Sequence, residues 1–405
     1  MGAIDAKLRR RIVVVAEGAI PTGFARVTSS LFKHLQPHFE IYQLTPHPLP
    51  NDRPSNDPPW PVAALPEAED PLGEERIVSA IANLQPHIVW ILADVQIVRE
   101  YARLLNPLRR ERGTRLSAYC PIDLTPLPVQ LVAPLRELDA LVAYTEYGRR
   151  ALAAALTPEP GAGTVPRLLA IPHGVDTTTF FPSERRAARR TLLGEEHVDD
   201  FIVLNANRNQ PRKRIDTTVR AFAVFARGKP ANVRLHLHMG LEDRGWPLRE
   251  LVRRNGLEDR VIYTTDQAMM PFVDDATLRL IYSAADIGVN TAVTEGWGMV
   301  AFEHAATRAA QVLPGHSVFT EIWEGAAHLI PPRLTLDTPK GLFEEHYLAH
   351  EDVASAFERL YVDPGYRDEL ATAAYTRATQ PRYSWESIAQ CWRVLFDNLL
   401  EMREK

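Results

Sequence analysis

The chain has 405 residues, of which 45% are hydrophobic and 24% are charged, and its formal net charge at pH 7 is −5. The composition is typical of a soluble globular protein, and the length exceeds one ordinary hydrophobic core, so we predict two domains. The acidic balance argues against a nucleic-acid-binding surface. Cys120 and Cys391 are the only cysteines, which excludes a disulfide framework or a cysteine-based zinc site and favours a reduced, cytoplasmic location.

We expect no targeting signal in the N-terminal segment. The apolar run over residues 12–16 is too short for a signal-peptide core and ends at Glu17. Ala6 breaks the myristoylation pattern, and no apolar run reaches the roughly 18 residues of a membrane-spanning helix. We therefore expect no transmembrane segment, while peripheral contact with the inner face of the membrane and the oligomeric state stay open.

Short β-branched and apolar runs alternate with amphipathic stretches along most of the chain. The predicted strands are, in a first group, residues 11–15, 39–44, 87–92, 116–120, 140–145 and 167–172, and, in a second group, residues 201–206, 233–239, 261–265, 286–291 and 326–331. Runs of this length separated by helical patterns predict parallel sheets that are covered on both faces. The two groups predict an α/β protein with two successive Rossmann-like domains.

Two irregular segments interrupt this alternation. Residues 176–200 separate the two groups of strands, and within them Pro182 and Ser183 precede a basic helix that we predict as the domain linker. Residues 46–71 hold nine prolines in 26 residues, a density that excludes a regular helix or a central strand. We predict an ordered surface loop there, anchored by Trp60.

The first predicted strand runs into AEGAIPTGFARV, where Gly18 and Gly23 flank a turn before a helix over residues 24–35. Glycine at a helix entrance lets a ligand approach the backbone, and the N–H groups there favour anions. The segment does not match the G-x-G-x-x-G dinucleotide pattern. A ligand site and a plain strand-to-helix turn that needs glycine geometry are therefore equal interpretations of this segment.

The second domain opens with FIVLNANRNQPRKRID, which places Arg208 just past a strand and Arg212, Lys213 and Arg214 at the predicted helix start. Cations at a helix N-terminus oppose the macrodipole. An anionic ligand would resolve this conflict, and Asp216 would resolve part of it. A solvated basic face is the usual interpretation of such a run, but the position directly after a strand of an α/β domain favours a ligand.

The stretch TEGWGMVAFEH repeats the order of strand, glycine-bearing loop and helix. If the helix begins near Met299, the side chain of Glu303 leans back toward the loop that holds Glu295. Gly296 and Gly298 leave the intervening N–H groups accessible. Each glutamate taken singly is best interpreted as a loop charge or a partner of the helix dipole. Together with the basic cluster, the two predict a pocket for a nucleotide sugar, with carboxylates for its hydroxyls.

Five segments of the chain carry a family resemblance: TEGWGMVAFE (294–303), NRNQPRKRID (207–216), AIPHGVDTTTFFP (170–182), DDATLRLIYSAADIGVNT (274–291) and RYSWESIAQ (382–390). In these segments the chain resembles retaining glycosyltransferases of the GT-B fold, family 4. The resemblance is clear over roughly residues 170–330 and 383–390. In the N-terminal half it rests mainly on the strand pattern and the PTGFARV turn.

The resemblance implies a GT-B fold, in which two Rossmann-like domains face each other across a cleft and a C-terminal helix crosses back to the N-terminal domain. Residues 1–182 and the helix over 383–405 would form the acceptor domain, and residues 183–382 the donor domain. The implied reaction moves a sugar, with retention of its anomeric configuration, from a UDP- or GDP-sugar to an acceptor hydroxyl. It needs no metal or other cofactor, and the acceptor is a saccharide, a lipid-linked molecule or a small molecule.

The resemblance also implies roles for individual residues. Arg208 and Lys213 would bind the diphosphate and stabilise its charge as it leaves. Glu303 would bind the ribose hydroxyls, and Glu295 the donor sugar. The other implied donor-site residues contribute backbone groups, namely Gly23 (whose turn also faces the acceptor), Trp297, Gly298, Met299 and Val300.

One departure from the family concerns the catalytic centre. Where the family commonly has a histidine after an N-terminal-domain strand, this chain reads SAYCPIDLTPLP. Asp123 is the nearest polar candidate, and it either hydrogen-bonds the donor or acceptor or caps the following turn. Three alternatives to glycosyl transfer stay open: a GT-B-fold phosphorylase, a sugar-nucleotide epimerase and, given the missing histidine, a nucleotide-sugar-binding protein without catalysis.

Overall fold

The computed structural model describes residues 9–18, 22–46, 58–65, 73–157, 165–339 and 341–401. Two compact units make up the chain: residues 1–174 with 385–405 form the first, and residues 175–384 form the second. Each unit is built on one large parallel sheet, which confirms the predicted α/β class. Among the described residues, no helix combines the length and the apolarity needed to cross a membrane.

The first unit is a parallel sheet connected by helices. Its strands are β1 (Arg11–Val15), β2 (Glu40–Thr45), β3 (Val62–Ala64), β4 (Ile88–Leu92), β5 (Arg115–Cys120), β6 (Ala140–Ala143) and β7 (Arg167–Ala170). They pair in the order β3-β2-β1-β4-β5-β6-β7. The helices are α1 (Gly23–Leu35), α2 (Glu74–Leu84), α3 (Val95–Arg112), α4 (Val129–Val132) and α5 (Glu146–Ala155). Every residue of β4 is buried, as expected of a parallel strand that is covered on both faces.

One buried amide holds the chain where β1 ends. Gln43, which is 2% exposed, donates from Nε2 to the carbonyl oxygens of Ala16 and Glu17 at 3.3 and 3.2 Å. Its Oε1 accepts the indole N–H of Trp60 at 2.9 Å. Trp60 therefore anchors its segment of the chain to the sheet, as the sequence predicts.

The proline-rich segment enters the sheet as an edge strand. Within the described residues β3 pairs with β2 alone, and an edge is where a strand tolerates nearby proline. The sequence excludes a central strand here but does not predict this edge strand. Residues 47–57 and 66–71 of the predicted surface loop lie outside the described residues.

The second unit has the same plan with six parallel strands. They are β8 (Phe201–Asn205), β9 (Val233–Leu237), β10 (Val261–Tyr263), β11 (Ile287–Val289), β12 (Ala310–Pro314) and β13 (His328–Ile330), paired in the order β10-β9-β8-β11-β12-β13. The helices are α6 (Arg185–Leu193), α7 (Ile215–Phe225), α8 (Leu248–Arg254), α9 (Asp275–Ala284), α10 (Met299–Ala306), α11 (Ser317–Trp323), α12 (His350–Val362) and α13 (Pro364–Ala378). Between β13 and α12, the strands β14 (Leu334–Asp337) and β15 (Glu344–Tyr347) form an antiparallel hairpin.

Each strand predicted from the sequence is present, with ends that differ by no more than two residues. The sequence misses β3, β12 and the β14–β15 hairpin. In β12, Gln311 and Pro314 interrupt the apolar run. Gln311 is nevertheless buried, because its Nε2 donates to the carbonyl oxygen of Ala309 at 3.1 Å. The predicted linker helix is α6, although the second unit begins earlier, at Val175.

The centre of the second sheet marks where a ligand site is expected. β8 and β11 are neighbours, although β9 and β10 lie between them in sequence and are placed on the far side of β8. In open α/β sheets, ligands bind beyond the carboxyl ends of two neighbouring strands at the point where the strand order reverses. The loops that follow these ends are residues 206–214 and 290–298.

The last helix, α14 (Trp385–Glu401), belongs to the first unit. Trp392 has no exposed surface, and its ring packs edge-on against Trp90 and Tyr119 at centroid distances of 5.5 and 5.0 Å. The C-terminal helix thus returns to the N-terminal unit, as the GT-B prediction requires.

We expect Trp392→Ala to lower the free energy of unfolding of the full chain by about 3–5 kcal/mol, because it empties a fully buried aromatic site. Urea unfolding followed by circular dichroism measures the loss. Val394→Ala on the same helix is the control, since Val394 is 50% exposed and its replacement is expected to change stability by less than about 0.5 kcal/mol. Equal effects of the two substitutions would contradict the role of α14 in the core.

Candidate functional site

Asparagine side chains join the two loops at the centre of the second sheet. Asn290 Nδ2 donates to Asn207 Oδ1 at 3.1 Å, and Asn207 Nδ2 donates to Asn205 Oδ1 at 2.9 Å. Asn290 Oδ1 accepts the backbone N–H of Ala292 at 2.8 Å. All three asparagines are buried, where an amide without partners would be costly. These bonds therefore fix the spacing of the two loops.

A chain of hydroxyl groups extends this network to the basic cluster. Thr291 Oγ1 donates to the carbonyl oxygens of Lys213 and Arg214, at 3.0 and 2.8 Å, and lies 2.9 Å from Thr218 Oγ1. Because a hydroxyl group has only one proton, Thr218 must donate to Thr291. Asn205 in turn donates to Thr218 at 2.9 Å. The backbone of Lys213 is thus held from the opposite loop.

Lys213 and Glu295 form a buried ion pair between the loops. Lys213 Nζ donates to Glu295 Oε2, and the two residues are 7% and 6% exposed. Arg212 Nη1 lies 3.5 Å from Glu295 Oε1 and donates to the carbonyl oxygen of Thr294 at 3.1 Å. Burial alone would raise the pKa of Glu295, but the charges of Lys213 and Arg212 outweigh it and lower the pKa to about 2. Glu295 is therefore ionised at neutral pH.

This pair corrects one expectation about the basic cluster. The sequence suggests that the cations at the start of α7 need an anionic ligand, with partial help from Asp216. In the structure, Asp216 binds the guanidinium of Arg214 through two bonds of 2.9 and 2.7 Å, and Glu295 binds Lys213. Carboxylates of the chain itself therefore form ion pairs with these cations, and no anionic ligand is needed to balance them. The argument for a ligand rests instead on the position of the basic cluster at the centre of the sheet.

Arg208 has a separate carboxylate partner. Its Nε and Nη2 donate to the two carboxylate oxygens of Asp243 at 2.6 and 3.1 Å. The Asp243 side chain is fully buried, whereas the Arg208 side chain is 38% exposed. The backbone N–H groups of Glu242 and Asp243 donate to the carbonyl oxygen of Ala268 at 3.0 and 2.9 Å. Arg208 is thus held in one orientation by a turn that is itself fixed.

Glu303 lies where the sequence places it, in the second turn of a helix that begins at Met299. The residue is 6% exposed, and its Oε2 accepts a hydrogen bond from the Tyr282 hydroxyl at 3.0 Å. The ring of His304 stacks on Tyr282 at a centroid distance of 5.3 Å. α9 therefore orients the carboxylate of α10.

Aromatic side chains pack against the glycine-bearing loop before α10. Trp297 is 4% exposed, and its ring stacks on Phe302 at 4.6 Å and nearly parallel, at 8°. Gly298 has φ +87°, a conformation that favours glycine, and a Cβ there would lie in tight contact with Phe319 at 3.1 Å. The first N–H groups of a helix have no acceptor within that helix. The amides of Met299 and Val300 are in this position, as predicted.

Two predicted site residues belong to the first unit. Gly23 is the first residue of α1, whose N-cap Thr22 accepts a first-turn N–H. Asp123 follows β5 and is half-buried. The structure therefore brings Lys213 and Glu295 together, whereas Gly23 and Asp123 lie in a different unit.

Sequence reasoning missed the residues that hold the predicted side chains. Asp243 follows a buried strand in the segment GLEDRGW, and nothing in that segment indicates that its partner is Arg208, 35 positions earlier. Tyr282 lies inside the segment over 274–291 that carries the family resemblance, but helical spacing alone suggests a core residue.

The two histidines of β9 are buried and share one hydroxyl partner. His236 and His238 both contact the Thr264 hydroxyl, from Nε2 and Nδ1 at 2.9 and 3.1 Å. Burial lowers the pKa of His236 to about 3 and that of His238 to about 4, so both are neutral at pH 7. Across the described part of the chain, no group of three or more histidine, cysteine, aspartate or glutamate side chains is arranged to hold a metal ion.

Comparison with known proteins finds several glycosyltransferases. D-inositol 3-phosphate glycosyltransferase of Kineococcus radiotolerans is 35% identical over 175 residues, which cover 42% of this chain and 38% of that protein. The first curated relatives are matched over 38%, 46% and 32% of their own length, so the chain spans less than half of each. No protein-family model matches the chain.

Solved structures match over nearly the whole chain. Sucrose-phosphate synthase of Thermosynechococcus elongatus aligns with a TM-score of 0.74 at 20% identity and covers 97% of this chain and 100% of that one. The Anabaena protein HepE in complex with UDP-glucose aligns with a TM-score of 0.72 at 15% identity, over 96% and 99% of the two chains. These similarities confirm the predicted GT-B fold.

We expect Glu295→Gln to change the pH dependence of stability. The folded-state pKa of Glu295 is about 2, below its ordinary value of 4.5. Its ionised form therefore stabilises the fold above pH 4.5, and this contribution is lost as the pH falls toward 2. The free energies of unfolding of wild type and variant should differ by a few kcal/mol near pH 7 and converge toward pH 2.

Urea unfolding at several pH values measures this difference. Glu324→Gln is the matched control, because Glu324 is exposed and the variant should run parallel to the wild type. An offset between Glu295→Gln and wild type that stays constant from pH 7 to pH 2 would show that the ion pair is not the source.

Proposed function

We propose that the protein is a retaining glycosyltransferase that moves a sugar from a nucleoside-diphosphate sugar to an acceptor hydroxyl. The observation that carries the proposal is the Lys213–Glu295 pair, which lies on the two loops that follow the central strands of the second sheet. Arg208 on the first of these loops is oriented by Asp243. Cations and carboxylates thus converge at the position where this kind of sheet binds ligands.

In this proposal the cations receive the diphosphate. Arg208 presents a planar guanidinium that suits phosphate oxygens. Lys213 supplies an ammonium group, and the backbone of this residue is held in place by Thr291. Charge that builds up on the departing diphosphate would be stabilised by groups already in place, which is the most effective form of electrostatic catalysis. We propose that these side chains, and the amides at the start of α10, do this without a resident metal.

The carboxylates receive hydroxyl groups. Glu303, held by Tyr282, would accept hydrogen bonds from the ribose, since a carboxylate is a strong acceptor for a pair of hydroxyls. Glu295 would bind the donor sugar while it remains paired with Lys213. One carboxylate would thus couple the sugar to the group that binds its diphosphate.

The comparisons support a UDP-sugar as the first donor to test. HepE has been solved with UDP-glucose, and a trehalose-6-phosphate synthase from E. coli with UDP-2-fluoroglucose. We keep GDP-sugars as the second class. The acceptor, which we place on the first unit near Gly23 and Asp123, would be a saccharide, a lipid-linked molecule or a small molecule, and the reaction would take place in the cytoplasm.

A thermal-shift screen with UDP-, GDP-, ADP- and dTDP-sugars tests the proposal first. Stabilisation by one nucleotide class, followed by transfer to an acceptor with the α or β configuration of the donor retained by NMR, is the expected result. Inversion of the anomeric centre would overturn retention. Tight donor binding with no transfer to any acceptor would instead identify the non-catalytic binding protein that the missing histidine suggests.

We expect Lys213→Ala to weaken nucleoside-diphosphate binding about 10- to 100-fold, the range of one charge-assisted hydrogen bond in a buried site. Isothermal titration calorimetry with UDP and GDP measures it. The control is Arg253→Ala, which removes an exposed cation of the same unit that pairs with Glu250. Circular dichroism confirms that both variants are folded, and unchanged affinity in folded Lys213→Ala would remove Lys213 from the diphosphate site.

A further inference from the structure

The β14–β15 hairpin is an addition to the parallel sheet of the second unit. All four residues of β14 are exposed, and an isolated two-stranded hairpin is at best marginally stable in water. Its contacts with the rest of the unit therefore determine whether it has a fixed position. Three contacts of β15 lead to the two loops of the candidate donor site, one of them through the loop after β12.

The first contact joins the hairpin to the loop that carries Glu295. The backbone N–H of His346, in β15, donates to the carbonyl oxygen of Val293 at 3.1 Å, and the N–H of Val293 donates to the carbonyl oxygen of Arg212 at 2.8 Å. Val293 thus lies between the hairpin and the basic loop. Glu295 follows only two residues later.

The second contact passes through His316, in the loop after β12. Its Nε2 is 3.0 Å from the carbonyl oxygen of Ala292, and its ring lies 4.8 Å from the ring of His346. His316 is 6% exposed, and burial lowers its pKa to about 4. The neutral ring therefore carries its proton on Nε2, donates to Ala292 and accepts at Nδ1 from the Ser317 hydroxyl at 3.2 Å.

The third contact reaches the basic loop directly. The guanidinium of Arg214 lies 4.9 Å from the centre of the Tyr347 ring, a distance at which a cation is attracted to an aromatic face. Arg214 follows Lys213 in sequence. The hairpin therefore contacts both loops whose side chains form the Lys213–Glu295 pair.

We propose that the β14–β15 hairpin is a brace for the donor site and that His316 and His346 are positioning residues which set the loop of Glu295 against Lys213. Neither histidine needs to contact the donor. The brace acts by holding the carbonyl groups of Ala292 and Val293, so that the carboxylate that follows them meets the ammonium group. Its effect on catalysis rests on the proposed function, whereas its effect on the loop does not.

Four variants separate the hydrogen bond from the packing. His316→Phe keeps a ring against His346 but cannot donate to Ala292, whereas His316→Gln has an amide that reaches the same acceptor. Leu336→Gln changes the outer part of the same hairpin, since Leu336 is 47% exposed. His346→Ala removes the ring from the opposite side and serves as the second variant should His316→Phe fail to fold.

Hydrogen–deuterium exchange of the segment 290–298 in the unliganded protein is the first measurement. We expect about tenfold faster exchange in His316→Phe and His346→Ala, the scale of one lost buried interaction. His316→Gln should restore slow exchange, and Leu336→Gln should match the wild type. Wild-type exchange in a folded His316→Phe variant and in His346→Ala would overturn the brace.

The second measurement is the affinity for UDP and GDP together with kcat and KM for the donor. We expect about tenfold weaker donor binding in His316→Phe, with recovery in His316→Gln and no change in the acceptor KM. Faster exchange without any loss of donor affinity would overturn the link from the brace to the donor site. If the wild type binds no nucleoside diphosphate, the proposed function fails, and the exchange experiment still decides whether the brace exists.

Discussion

The second unit depends on one costly arrangement, an ammonium group and a carboxylate buried side by side. Taking Lys213 and Glu295 out of water carries a large desolvation cost, which their attraction offsets only when geometry is good. The surrounding network supplies that geometry. Asn205, Asn207 and Asn290 fix the two loops, and Thr291 holds the backbone that carries the lysine. Leaving either charge alone in this place would be more costly than removing both.

Such an arrangement suits a ligand that carries both phosphates and hydroxyls. A buried lysine without a carboxylate would tend to lose its proton, and a cation without a fixed backbone would spend binding energy on becoming ordered. The pair with Glu295 avoids both outcomes before any ligand arrives. Under the proposed function, the ligand binds to a charged and preorganised site. Glu295 would bind the sugar and Lys213 the diphosphate, and these two side chains are already in contact before the ligand binds.

Much of this fold is legible in the sequence because buried parallel strands leave continuous apolar runs. The strands of both sheets other than β3 and β12, and the start of α10 near Met299, follow from such local patterns. β12 is not evident in the sequence because Gln311 and Pro314 interrupt its apolar run, although both residues are buried in the folded chain. Short-range patterns also hide the hairpin, since all of β14 is exposed and its few apolar residues face no core.

The sequence indicates the charged residues of the candidate site but not their pairings. Arg208 and Lys213 were indicated by their position directly after a predicted strand, and Glu295 and Glu303 by the glycine-bearing loop between them. Their partners were decided by tertiary contacts across tens of residues: Arg208 found Asp243, 35 positions away, and Lys213 found Glu295, 82 positions away. Sequence spacing carries no information on such contacts unless the order of strands is known, because that order determines which loops are neighbours.

The two cations, though grouped by sequence, have different physical characters. The Lys213 side chain is 9% exposed and its partner 8%, whereas the Arg208 side chain is 38% exposed against a fully buried aspartate. An exposed guanidinium can turn part of its donor set to an incoming anion while the buried carboxylate keeps it oriented. The lysine, whose pair with Glu295 is buried, has less freedom to do the same. Under the proposed function, Arg208 is therefore suited to make the first contact with the diphosphate. Lys213 is suited to stabilise the charge that develops on the diphosphate once the bound ligand has excluded water.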